Sequence, residues 1–186
     1  MAVFYSFHYE RDVHRVQLIE NMGALEGQAI LNHQEWEKIK NAGERAIQNW
    51  ISDQMKWKSA VVVLIGNETA SRDWVQYEIQ KAWNERKPLL GIRIHGLSSM
   101  GDVDSPGNNP FTGVSGLSQV PVFDPTQKDW NGNIDSKATY NYLSDHLKEW
   151  ADQGITADER VSDSLCAGAW FTSSPRIGRG MPRLVG

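Results

Sequence analysis

Apolar residues in this chain fall into a few short continuous runs. Between the runs they recur every third or fourth position. Val61–Ile65 is the clearest run, five large aliphatic residues in succession between Ala60 and Gly66. A strand with one wet face alternates apolar and polar positions, whereas a strand covered on both faces has no polar side to show. Ser59–Gly66 therefore reads as a central strand. Ala2–Phe7, Leu89–Ile94 and Val120–Phe123 read as further buried strands, and Gln28–Leu31 as another short one. Helical spacing marks the intervals. Val13, Val16 and Ile19 lie within Arg11–Met22, and Ile47, Trp50 and Ile51 within Glu35–Gln54, which breaks near Gly43. Val75, Ile79, Ala82 and Trp83 lie within Ser71–Arg86, which ends before Pro88, and Tyr140, Leu143, Leu147 and Trp150 lie within Ser136–Gln153. Strands that alternate with helices predict an α/β fold, an open and mostly parallel sheet with helices on both faces.

The periodicity fades near the end. Residues 1–155 are expected to form one domain, and residues 156–186, where Gly, Pro and Ser replace the apolar pattern, a tail. A chain of 186 residues is long enough to bury a core without staples. Its net charge of −4 gives no bulk attraction for nucleic acid, and no basic run supplies a local one. The single cysteine, Cys166, excludes an internal disulfide framework and fits a reducing cytoplasm. The first apolar run is too short, and Glu10 too early, for a signal peptide, and no stretch has the length of a membrane span. A cytoplasmic protein with neither nucleic acid nor membrane as partner is expected. The five histidines lack ligand spacing, so no metal site is expected.

Several chemistries are excluded by missing motifs. There is no GxGxxG after a strand, no GxxxxGK[ST] and no GxSxG. In an open α/β sheet, ligands collect at the carboxyl ends of the strands. The segment Ser71–Glu78, SRDWVQYE, follows the central strand and so opens at that edge. Trp74 and Glu78 stand four apart and share a helix face, at the border of the apolar stripe. The pattern leaves two readings open: a solvated glutamate beside a boundary tryptophan, or a carboxylate in a cleft beside an aromatic shelf. Ser71 is the expected N-cap of this helix. The end of the first strand, Ser6–Asp12, reaches the same edge with hydroxyl, aromatic and basic groups, which suit a nucleotide or a polar loop equally well.

Three segments taken together resemble the TIR-like family, in the branch that includes the TIR-like protein of Thoeris anti-phage defence. They are VFYSFHYERD (3–12), VVVLIGNETASRDWVQYEI (61–79) and NNPF (108–111). The middle segment is the most specific. The resemblance implies a flavodoxin-like fold and NAD as a substrate, with no other cofactor. It implies cleavage of the nicotinamide–ribose bond, an ADP-ribose-derived and typically cyclic signal, and a partner effector that responds to it. By motif, Glu78 is the expected catalytic carboxylate and Trp74 the aromatic residue beside it. Phe7, His8, Arg11 and Ser71 are the further substrate-binding candidates. Self-association is also expected from the family. Two other functions would carry much the same sequence: a TIR-like interaction module without activity, and a receptor for an ADP-ribose-like nucleotide.

Overall fold

The computed structural model describes residues 1–112 and 114–157. The tail expected from residue 156, and Cys166 within it, thus falls almost wholly outside the described residues. Four strands form one sheet: β1 (Val3–Ser6), β2 (Ala60–Ile65), β3 (Leu89–Arg93) and β4 (Val122–Phe123). They lie in the order β1-β2-β3-β4 and every pair is parallel, with Val3 opposite Ala60, Val61 opposite Leu89 and Gly91 opposite Val122. Five α-helices accompany them: α1 (Tyr9–Asn21), α2 (His33–Asn41), α3 (Glu44–Lys56), α4 (Asp73–Asn84) and α5 (Ser136–Ala151).

The sheet divides the core in two, because successive side chains of a strand point to opposite faces. Val3, Tyr5, Val62, Leu64, Leu90 and Ile92 pack with Val16 and Ile19 of α1 and Leu143 and Leu147 of α5. Phe4, Val61, Val63, Ile65 and Leu89 pack with Ile51 and Met55 of α3 and Val75 and Ile79 of α4. All six residues of β2 are buried, which is why its sequence carries no polar alternation. This is the expected α/β architecture, with helices on both faces of a parallel sheet.

Two expectations are corrected and one is borne out. Gln28–Leu31 is not a strand. The amide of Gln28, 4% exposed, does a strand's work at the open edge of β1: Tyr5 N–H donates to its Oε1 at 2.7 Å and its Nε2 donates to the Tyr5 carbonyl at 2.7 Å. One primary amide serves a donor and an acceptor at once, so no further backbone is required there. The break expected near Gly43 within Glu35–Gln54 is present and separates α2 from α3. Asn32 and Glu35 form a reciprocal capping box at the start of α2, and Gly43, at φ +95°, makes the break before α3. Finally, α4 begins at Asp73, with Arg72 as its N-cap. Ser71 belongs to a 3₁₀ turn, Thr69–Ser71, and its hydroxyl turns back to donate to the Glu68 carbonyl at 2.8 Å.

The end of the described chain is tied in. Ile155 exchanges two backbone hydrogen bonds with Leu89, at 2.8 and 3.0 Å, and Ala157 is 6% exposed in the second core. The loop after β3 is likewise packed down. Phe111 of NNPF is fully buried, and Arg93 Nη1 donates to the Gly107 carbonyl at 2.7 Å. At Gly107 a Cβ would lie 2.0 Å from the Gly66 carbonyl oxygen, so only glycine lets the loop lie this close to the end of β2.

Candidate functional site

The carboxyl ends of β1 and β2 meet the start of α4 at one edge of the sheet. A cleft of about 650 Å³ opens there. Phe7 and His8 line it from the turn after β1, Ser71 from the 3₁₀ turn before α4, Trp74 and Glu78 from α4, and Trp36 from α2. Its volume lies in the range of small-molecule sites.

Glu78 is 8% exposed. The Ser6 hydroxyl, fully buried at the end of β1, donates to Glu78 Oε2 at 2.5 Å. Burial pushes the carboxyl up to about 8, and the Ser6 hydrogen bond pulls the other way. At neutral pH this carboxyl is therefore largely protonated. Trp74, one turn earlier, is partly buried and meets Tyr77 edge-on, with ring centroids 5.8 Å apart at 79°. His8 is the N-cap of α1 by its backbone, and its Nδ1 is buried without a hydrogen-bond partner. Burial, and then the nearby Arg72 guanidinium, hold the imidazole below its ordinary range and so neutral at pH 7.

Five of the six candidate residues thus line one cleft: Glu78, Trp74, Phe7, His8 and Ser71. Arg11 is not among the lining residues. Its guanidinium is held by Asp104 at 2.9 Å and by Glu68 at 2.9 Å, tying the first turn of α1 to the loops after β2 and β3. Beside it, Asp12 is fully buried and accepts from Arg15 Nη1 at 2.9 Å, while Arg15 Nε donates to the Leu97 carbonyl. Gly66 abuts this pair, since a Cβ there would lie 2.3 Å from Asp12 Oδ2. These contacts hold α1 to the loops after β2 and β3 at the carboxyl edge of the sheet.

The sequence reading did not single out Ser6, Arg72, Tyr9 or Trp36. Ser6 carried a signal, a hydroxyl closing a buried strand at the ligand edge. Tyr9 lay among the aromatic groups of Ser6–Asp12 at that edge, whereas Trp36 carried no signal, because its place in the cleft depends on how α2 is seated. Among the described residues no group of three or more His, Cys, Asp or Glu side chains could hold a metal. No helix among them is long and apolar enough to cross a membrane.

A parallel flavodoxin-like sheet with a polar and aromatic cleft at the β1, β2 and α4 edge defines a TIR-like domain. Residues 4–99 match the family described as Thoeris protein ThsB, TIR-like domain, and the chain belongs to that family. It is similar to a protein of Bacillus cereus (strain MSX-D12) named "Putative cyclic ADP-D-ribose synthase ThsB1". The two are 31% identical over 115 residues, which span 59% of this chain and 60% of that relative.

Proposed function

We propose that the chain consumes NAD, releasing nicotinamide and forming a cyclic ADP-ribose-type signal in anti-phage defence, with Glu78 as the catalytic carboxylate. The observation that carries this reading is Glu78 itself, a carboxyl nine-tenths buried in an aromatic-lined cleft, with a hydroxyl as its neighbour and no cation bonded to it. Such a group favours a cationic partner from solution, because an opposite charge lowers the cost of ionising it. The nicotinamide ring of NAD is that kind of partner. The family membership and the printed name of the relative support the same reading.

In this mechanism the bond between ribose C1′ and the ring nitrogen breaks. The electron pair leaves with the ring, which becomes neutral nicotinamide, so no acid is needed to protonate the leaving group. The ribose is left with oxocarbenium character, as in glycoside cleavage. The Glu78 carboxylate stabilises that cation and accepts hydrogen bonds from the ribose hydroxyls. Trp74 and Phe7 provide apolar surface for a flat ring, Ser71 a polar group at the same wall, and neutral His8 a nitrogen that can bond without adding positive charge. Exclusion of water favours attack on C1′ by a nucleophile of the same molecule, giving a cyclic product rather than free ADP-ribose. NAD is the substrate and no further cofactor takes part. The product would diffuse to a signal-responsive effector, and self-association of the domain would accompany activity. Arg11 serves this site by bracing it.

The test is nicotinamide release from NAD by the wild type and by Glu78→Gln. A non-catalytic module would release none in either form. A nucleotide receptor would bind an ADP-ribose-like ligand and return it unchanged.

A further inference from the structure

The cleft extends well beyond Glu78. Tyr9, Trp36 and Trp50 line its other half, in a ladder with centroid separations of 5.6 Å and 6.3 Å, and Phe7 joins the ladder to the Glu78 end at 6.2 Å from Tyr9. None of the three rings is fully buried. Helix α2, which carries Trp36, contains no fully buried residue at all. A helix usually gains most of its stability by burying an apolar face, and α2 leaves its own only partly covered. Its capping box fixes where it starts, and the Tyr9 hydroxyl, donating to the Leu31 carbonyl at 2.6 Å, ties the turn after β1 to the segment leading into it. The wall is therefore anchored in place while its rings stay accessible from the cleft.

The charges differ between the two ends. Around the ladder, Glu10, Glu37 and Glu44 line the cleft with a single cation among the described residues, Lys40, which two of them already hold at 3.3 and 2.9 Å. An anionic phosphate is disfavoured there, and a neutral ring bearing an amino donor is favoured. Arg72 lies at the Glu78 end, paired with Glu68, and its Nε is buried with no hydrogen-bond partner. A ligand with two flat rings joined by phosphates finds in this cleft a surface for each part: Trp74 beside Glu78, the Arg72 guanidinium, and the ladder.

We infer that Tyr9, Trp36 and Trp50 form a second aromatic subsite in the cleft, one that takes the purine ring of the dinucleotide, with Trp36 as its principal stacking surface. The inference rests on the NAD reading of the cleft and names how the other end of that substrate is held. A purine at this end also keeps the base inside the same enclosure as the reacting ribose, where a nucleophile from the ligand's own far end is needed for ring closure.

The test compares AMP with nicotinamide mononucleotide as probes, by titration calorimetry on the full chain. Both carry a ribose and a phosphate and differ in the ring. Wild type is expected to bind both. Trp36→Ala should weaken AMP by roughly 5- to 100-fold, the worth of one base–aromatic stack, and leave nicotinamide mononucleotide within about twofold. Trp36→Leu, which keeps bulk without the π-face, should behave alike, and the melting temperature of both variants checks that they fold. Failure of AMP to bind wild type, or equal weakening of the two probes, or unchanged AMP affinity in both variants, would overturn the purine subsite. AMP binding does not depend on Glu78. If Glu78→Gln still cleaved NAD while AMP binding still required Trp36, the catalytic assignment would fall and the subsite would stand.

Discussion

At the scale of single residues, the protonation of Glu78 decides behaviour. In the proposed mechanism only its ionised form stabilises the oxocarbenium ion, and burial lifts its pKa to about 8. kcat/KM for NAD should therefore rise with pH through 7 and level off above about 8. The Ser6 hydrogen bond favours the carboxylate, so Ser6→Ala should move this midpoint upward as well as lower the rate at pH 7. A residue that only packed the site would change the rate and leave the midpoint in place. Linkage gives a second prediction. The folded-state value lies above the ordinary value of 4.5, so the neutral group's contribution to stability is fully present below pH 4.5 and is lost as pH rises through about 8. Glu78→Gln should accordingly raise the melting temperature more at pH 8.5 than at pH 5, with a stability gain on the order of a few kcal/mol at the higher pH. Glu78 and Trp74 were legible in the sequence because a local motif places both on one helix face. Ser6 is legible only once β1 and α4 are known to be neighbours. Arg11 was legible as a charge at the correct edge, but its partners Glu68 and Asp104 come from two other loops, so its position outside the cleft lining was not.

At the scale of elements, the four strands and most of the helices could be read from hydrophobic pattern, since double coverage of the sheet leaves β2 without a polar residue. The segment around Gln28 could not be read this way. A buried glutamine at the edge of β1 replaces a strand's hydrogen bonds by its side chain, and periodicity carries no trace of that. Gln28→Leu would keep the bulk and strand both the N–H and the C=O of Tyr5. It is expected to cost roughly 2–5 kcal/mol in urea unfolding, since each buried unsatisfied group costs about 1–3. A loss below 1 kcal/mol would mean that water or another group replaces the amide. The start of α4 was misread for a related reason. Ser71 has the side chain of a good N-cap, but the 3₁₀ turn before it directs the hydroxyl to Glu68 instead.

At the scale of the whole molecule, two apolar layers and one ligand edge account for the arrangement, and the domain closes through its last described residues. The pairing of Ile155 with Leu89 covers the start of β3, and Ala157 fills part of the second core. A chain ending at Gly154 should be less stable by roughly 1–3 kcal/mol than one ending at Ala157, measured by denaturant unfolding. Equal stability would show that this closing contact is dispensable. The cleft, too, is a property of the whole. Its Glu78 end comes from β1 and α4, near the three segments on which the resemblance is read, and its other wall comes from α2 and α3, which lie outside those segments. The family match begins at residue 4 and extends to residue 99, so it includes both walls of the cleft.

NAD cleavage is proposed to depend on the buried carboxyl of Glu78. The most direct measurement is chromatographic detection of nicotinamide and ADP-ribose-derived products from NAD incubated with wild type and with Glu78→Gln at pH 8. Release of nicotinamide by the wild type, with loss of at least about a hundredfold in the variant, is predicted, together with a product whose retention differs from that of linear ADP-ribose. Undiminished release by Glu78→Gln would contradict the assignment of the chemistry to this residue.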